Sequence, residues 1–544
     1  MRRVVHLAGR VSTRSIRVKP CRFYSSSLNF TNEETEFANR KAQIFERHES
    51  YYPTLQQLRE VPPTRVPQFI EKFHDYQWDT DKLSLDEIYS LEGKISSIRK
   101  SGKGMMFIDI VQDFQKVQLV LSNKMMNLSR DQFTSTHDFF KKGDFVHAMG
   151  FPGTTKVGEL SLKLTKSLQI AAPTLHPLPP KLTDPEKRHH NRVVDYLVNK
   201  RSQQIIILKS QVISSIRSFL NERQFLEVST PIISNSTKGA NATPFSTSSK
   251  HLKDNHTGEL VDLQLRVAPE LWLKKLIIGG FDKVYEIGSN FRNEGIDGTH
   301  NPEFTTCEFY QTFTDLHELM KMTEKLFQGI LKDVSGNEVV KPQLDVLSNG
   351  FSQFQKLEFI PAIEQQTKFP LPEQLTVDSL TEYFHRIQLP LPKIKSVPHL
   401  LDTLSSTYLE PLCTSSPTFI YNQPSIMSPL AKSSMVKYPN GKTYDISRRF
   451  ELFINGKEFV NAYEEENCPV DQLEKFKLQQ MLKDQFKDDE TIVPDYKFLQ
   501  TMEWGMPPTG GWGLGIDRLC MLLAGESRIE EVLTFGTLPD VIKQ

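Results

Sequence analysis

Residues 266 to 310 read RVAPELWLKKLIIGGFDKVYEIGSNFRNEGIDGTHNPEFTTCEFY, and their pattern decides the architecture of the larger part of the chain. The lead-in, Gln264 to Ala268, alternates with a period of two and predicts a strand. An amphipathic helical run follows, with Leu271, Leu273, Leu276 and Ile277 apolar and Lys274 and Lys275 polar. Gly279-Gly280 stops that helix. Lys283 to Phe291 then reads as a strand, residues 295 to 303 as a loop carrying Gly295, Gly298 and Pro302, and Phe304 to Phe313 as a returning strand. The product is a long antiparallel hairpin. Arg292 and Glu294 stand at its mouth, and Glu308 and Tyr310 come back on the second strand.

The residue types on this hairpin describe a clamp for a polyanion beside a cation. Arg292 offers a planar fork of donors suited to phosphate oxygens. His300 adds a donor from the loop, and Phe304 presents a flat face on which a nucleobase stacks. Glu270 and Glu308 at a phosphate site make sense only with a cationic ligand between them. Each residue alone fits a surface ion pair or a core aromatic; gathered on one hairpin they point to a ligand site.

This stretch resembles motif 2 of the class II aminoacyl-tRNA synthetases. RVAPELWLKKL with FRNEG and HNPEFT is most similar to the lysyl-tRNA synthetases, whereas the aspartyl and asparaginyl enzymes do not usually carry the APEL form. The resemblance covers roughly residues 85 to 325 and 425 to 540. The implied fold is α+β: an N-terminal OB-type β-barrel followed by a catalytic domain built on an antiparallel sheet flanked by helices.

The 544 residues suffice for two or three domains. No apolar run approaches the roughly 18 residues that span a membrane, so no membrane role is expected. The five cysteines are scattered without a CxxC pair, which supports neither a disulfide framework nor a zinc site. Net charge is zero but unevenly spread: Arg2, Arg3, Arg10, Arg14, Arg17, Lys19 and Arg22 precede the first acidic residue, Glu33, among interspersed serines. That is the profile of a mitochondrial transit peptide, here residues 1–24 with cleavage near Ser25, and it predicts a matrix protein. Without it the chain is mildly acidic, so nucleic-acid binding must rest on local surfaces.

Residues 25–84 read as a helical extension. From 85 to 175, five short strands punctuated by glycines, with a helical segment near 123–140, predict a small closed barrel that binds single-stranded nucleic acid. In lysyl-tRNA synthetases this domain reads the anticodon. The resemblance assigns base stacking to Phe107 and base-edge reading to Gln118 and Glu159. Pro173, Pro177, Pro179, Pro180 and Pro185 mark residues 176–200 as a stiff, extended linker.

Residues 201–544 form the expected catalytic domain. Ser202 to Arg223 is a long amphipathic helix leading into Phe225 to Pro231, a strand; this resembles motif 1 and implies a homodimer. Gln224 stands where the family usually has glycine. Lys238-Gly239-Ala240 matches the loop over the amino-acid pocket, with Gly239 against the substrate and Lys238 as a departure. About 325–425 the pattern is poor and reads as a helical insertion. Arg449 to Glu466 is a hairpin turning at Asn455-Gly456, with Glu451 and Glu458 facing each other across it as a pair for Mg²⁺. The resemblance adds Asn461, Tyr463 and Glu465 to the amino-acid pocket. Gly510 to Arg518 resembles motif 3, a glycine-permitted strand followed by a helix from Ile516, with Arg518 on the ATP γ-phosphate.

The implied activity is lysine activation by ATP, then transfer to the 3′ end of tRNA(Lys). No protein nucleophile is needed, since the amino-acid carboxylate attacks the α-phosphorus. Arg292, Arg518 and His300 would be the catalytic residues, positioning and neutralising charge. Glu294, Asn301 and Phe304 would hold the nucleotide, and Glu270, Glu308, Tyr310 and Glu465 the two ammonium groups of lysine. A neutral competitor would leave carboxylates buried and unpaired, which costs several kcal/mol and gives selectivity of order 10⁴. The alternatives are an aspartyl or asparaginyl enzyme, a non-catalytic RNA-binding protein with a synthetase-like body, and a protein-lysylating paralogue.

Overall fold

The computed structural model describes residues 32–78, 85–235, 242–254, 257–414, 416–486 and 494–543. The expected transit segment and the loop holding Lys238 and Gly239 lie outside them. The chain divides into two compact units, Met1–Pro179 and Pro180–Gln544.

In the first unit, β1 (Tyr89–Lys100), β2 (Met105–Gln112), β3 (Gln115–Ser122), β4 (Phe145–Thr154), β5 (Leu160–Leu164) and β6 (Gln169–Ala172) form one sheet in the order β1-β2-β3-β5-β4-β6. A further β1–β4 pairing closes five of the strands into the expected barrel. Met106, Ile108 and Ile110 alternate inward against Val117, Leu119 and Leu121, the period-two pattern of a barrel filled by side chains. The helix Val66–Phe73 of the N-terminal extension seals this core with Val66, Phe69 and Phe73.

The stretch read as an extended linker is partly helical, in Pro185–His190 and Arg192–Val198. Asp184 caps the first helix, accepting from the N–H of Glu186, and Pro185 occupies the first turn, where its missing N–H costs nothing. Arg188 and Arg192 then bond Asp195 and the Glu531 region, so these helices belong to the second unit.

The second unit is centred on an eight-stranded sheet. Its strands in chain order begin with β7 (Leu226–Glu227), after which β8 (Ile233–Ser234), β9 (Ser246–Lys253) and β10 (Leu260–Leu265) form a separate three-stranded sheet. The large sheet resumes with β11 (Lys283–Phe291), β12 (Glu303–Thr312), β13 (Gln355–Glu358) and β14 (Thr418–Tyr421). A two-stranded ribbon, β15 (Ser433–Lys437) and β16 (Thr443–Ser447), precedes the last members, β17 (Arg449–Ile454), β18 (Lys457–Glu464) and β19 (Thr509–Gly515). The order is β13-β14-β17-β18-β19-β12-β11-β7, antiparallel except for the two outermost pairs. The helices Lys200–Glu222, Leu316–Val334 and Ile516–Ala524 pack apolar faces onto it through one core cluster.

Residues 325–425 are not purely helical. Four helices, Leu344–Ser352, Phe359–Thr367, Val377–Arg386 and Val397–Tyr408, are interrupted by β13, and β14 follows them. These two strands extend the main sheet. Four-residue strands are too short for a period-two pattern to stand out.

Candidate active site

The sheet's geometry gathers residues from three distant stretches. β12 lies between β11 and β19, and β18 pairs with the far side of β19, so the predicted hairpin, the Asn455-Gly456 hairpin and the glycine-rich strand share one face. Over that face opens a cavity of about 450 Å³. Among its lining residues are Glu270, Arg292, Glu294, His300, Asn301 and Phe304. Glu308, Tyr310, Glu451, Glu458, Asn461, Tyr463 and Arg518 also line it. Glu465 does not; it is 2 % exposed and sits behind the wall.

The phosphate-type groups occupy the open end. The Arg292 guanidinium lies 5.1 Å from the centre of the Phe304 ring, and its buried Nε has no hydrogen-bond partner among the described residues. Arg518 donates to the Glu458 carbonyl and reaches His300 Nε2 at 3.1 Å, while Asp297 holds His300 Nδ1 at 2.9 Å. The N–H of Thr299, burial and then His300 act on Asp297, and the bonds hold its carboxyl well below the usual range. Asn301 is already engaged: its amide donates to the Glu303 carbonyl at 2.7 Å and its oxygen accepts from Leu538 N–H at 3.0 Å.

The carboxylates split into two groups. Glu308 is pushed up to about 8 by burial and then by Glu270, and makes no hydrogen bond or ion pair among the described residues. Glu270 is buried and accepts from Tyr463 OH at 2.6 Å. Lys274, expected on the polar side of its helix, is instead fully buried, with Nζ 2.6 Å from Glu270 Oε1 and in ion-pair contact with Glu465. Burial works against the Lys274 charge, but Glu270 and Glu465 outweigh it and hold its pKa above the usual value.

Glu451 and Glu458 are not cross-strand partners as expected. Glu451 pairs with Asn461 and Glu458 with Phe453, because the register shifts between Leu452 and Phe453. At this bulge the consecutive Phe459 and Val460 both enter the core, and Glu458 is returned to the cavity beside Glu451. Burial and then repulsion by Glu451 push Glu458 up to about 6. Two carboxylates that repel one another suit a divalent cation completed by phosphate oxygens, so the donor set fits Mg²⁺. Arg449 limits that repulsion: it pairs with Glu451 and also donates to Asn461 Oδ1 at 2.9 Å and Ser428 Oγ at 3.0 Å.

On the barrel, Phe107 is half-buried and outside the core, because Met106 and Ile108 take the inward positions. It shares its face with Asp109, whose cross-strand partner is Gln118. Gln118 donates to Glu159 Oε2 at 2.8 Å, and both line a second cavity of about 330 Å³. The residues read as base-recognising therefore lie on one outer face.

The family described as tRNA synthetases class II (D, K and N) matches residues 184–539, and the OB-fold nucleic acid binding domain matches residues 89–171. The mitochondrial lysine–tRNA ligase of Schizosaccharomyces pombe is 42 % identical over 90 % of both chains. That of Saccharomyces cerevisiae is 38 % identical over 98 % of this chain and 96 % of its own. The lysine–tRNA ligase of Lactococcus lactis is 37 % identical over 86 % of this chain and 92 % of its own. The chain belongs to the class II lysine–tRNA ligases.

Within this ligase fold, two cavity-associated residues escape sequence reasoning. Arg449 had a signal, since Arg449 and Glu451 stand two apart on a strand and so share a face. Lys274 had only the four-residue spacing from Glu270, which on most helices marks a surface pair.

Proposed function

We propose that the cavity condenses lysine with ATP to lysyl-adenylate and then passes the lysyl group to a 3′-terminal hydroxyl of tRNA(Lys), with AMP leaving. A lysine carboxylate oxygen bonds to the α-phosphorus as the bond from α-phosphorus to bridging oxygen breaks, and pyrophosphate leaves. Arg292 binds both the attacking carboxylate and the α-phosphate, whose mutual repulsion opposes the reaction. Arg518, positioned by the bond it donates to His300 Nε2, takes the departing phosphates, Phe304 stacks the adenine, and Glu294 accepts from its amino group. Asn301 acts by fixing the loop. Glu451 and Glu458 would hold Mg²⁺, which when bound neutralises charge on the phosphates.

The observation that carries this reading is the half-buried Glu308 carboxyl, without a hydrogen bond or ion pair among the described residues, in the same cavity as Arg292. It receives the ε-ammonium beside Tyr310, while Glu270 and Tyr463 face the α-ammonium. Asn461, tied to Arg449, shapes the wall, Glu465 adds charge behind it, and Gly239, outside the described residues, is assigned to the amino acid by the family resemblance alone. Gln118, Glu159 and Phe107 read the anticodon. The exposed apolar Leu226, Ile232 and Ile233 support a homodimer through the helix Lys200–Glu222 and the segment after it. The basic first 24 residues and the two mitochondrial relatives support action in the mitochondrial matrix.

ATP–pyrophosphate exchange with each of the twenty amino acids tests the reading. Exchange with lysine alone is expected; exchange with aspartate or asparagine would overturn the pocket assignment.

A further inference from the structure

We propose that Lys274 is a built-in counter-cation that sets the net charge of the amino-acid pocket, matching it to a ligand with two ammonium groups. The proposal rests on the lysine reading above and adds a specificity-determining residue to it.

Lys274 is 0 % exposed and lies one turn along the helix Glu270–Ile278 from Glu270. Its Nζ bridges Glu270 and Glu465, which are far apart in the sequence. The rings of Tyr463 and Phe498, 5.6 and 6.0 Å from Nζ, close around it. A helix at this depth needs no charge for stability: an apolar side chain of similar volume serves as well as a buried ion pair. Lys275, next in sequence, behaves ordinarily, half exposed over Trp272 at 4.5 Å. The charge at 274 therefore calls for another reason.

That reason is charge balance. Ionised, as lysine binding favours, Glu270, Glu308 and Glu465 bring three negative charges, and each acts electrostatically on another across the pocket. Lys274 cancels one and leaves two. Lysine carries two ammonium groups and a carboxylate, and the carboxylate goes to Arg292, so two positive charges meet two negative ones. Glu465 serves this balance from behind the wall, where it is packed against Gly511. A singly charged pocket would leave one ammonium unpaired on burial, and a triply charged pocket one carboxylate.

The test is lysine-dependent pyrophosphate exchange by wild type, Glu465→Gln, Lys274→Met and the double variant. The pocket charge is then two, one, three and two negative. Both single variants are expected to raise KM for lysine by at least about tenfold, with KM for ATP changed by no more than about twofold. The double variant is expected to bind lysine at least about tenfold better than Glu465→Gln alone, a coupling that double-mutant cycles isolate. The Glu465→Gln comparison stands even if Lys274→Met fails to fold, because the double variant has the same net pocket charge as wild type. A double variant no better than Glu465→Gln overturns the proposal and makes Glu465 a direct partner of lysine. Wild type without lysine-dependent exchange would overturn the underlying pocket reading instead, and is measured first.

Discussion

Arg518 and His300, 218 residues apart, meet through Nη2 and Nε2 at 3.1 Å. Since arginine only donates, Nε2 must accept, and the Asp297 carboxylate at Nδ1 fixes that tautomer. Asp297→Asn keeps an oxygen for the N–H groups of Thr299 and His300 but turns an NH₂ toward Nδ1. The proton then moves to Nε2, against the arginine. KM for ATP is expected to rise roughly three- to tenfold with KM for lysine unchanged, as read by exchange at varied ATP.

Glu308 predicts a pH dependence. Its carboxyl is raised from 4.5 to about 8, so near neutrality the empty pocket holds it protonated. Lysine binding favours the ionised form, and KM for lysine should fall as pH rises from about 6.5 to 8.5. Glu308→Gln should raise KM for lysine far more than KM for ATP and abolish the slope. The sign for stability is opposite. The folded state binds the extra proton, so this group's contribution is complete below pH 4.5 and lost as pH rises through about 8. Thermal melts across that range without lysine check it.

Gly511 supports the amino-acid pocket through the space it leaves. A Cβ there would stand 1.9 Å from Glu465 Oε1 and 2.7 Å from Tyr310 Cε1. Gly511→Ala must displace the carboxylate from Lys274, and lysine-dependent exchange should fall by roughly tenfold or more at limiting lysine. ATP titration at saturating lysine separates this from general unfolding.

Gln224 predicts a gain. It follows the helix Lys200–Glu222 in a left-handed conformation, φ +64°, at an exposed position where glycine is favoured. A side chain there costs about 1–2 kcal/mol, partly offset because glycine frees the unfolded chain by about 0.4–1 kcal/mol. Gln224→Gly should raise stability by up to about 1 kcal/mol, measured by denaturant or thermal unfolding, with activity unchanged.

The barrel, the Asn455-Gly456 turn and the motif 2 hairpin were legible because their signals are local. Alternation over Met106 to Ile110 marks the strand, and Met106, Ile108 and Ile110 take its inward positions. Asn455 and Gly456 take φ of 52° and 68°, as a tight hairpin turn requires. The helices at 185–198 were also signalled, by Asp184 and Pro185, but a count of prolines outweighed the position of one. The strands β13 and β14 left too little pattern to read.

The amino-acid sequence by itself determined which chemical groups this ligase carries: Arg292, Arg518 and Phe304 for the nucleotide, and carboxylates for a cationic substrate. The tertiary structure decided how those groups are shared. It placed Glu465 behind the wall, gave Lys274 to Glu270 and Glu465, left Glu308 without a partner among the described residues, and brought Glu458 to Glu451 through a bulge. The physical reason is range. Strand alternation and turn conformation depend on neighbours a few residues away. Whether a buried charge is paired or vacant depends on which distant segment delivers the opposite charge within about 3 Å.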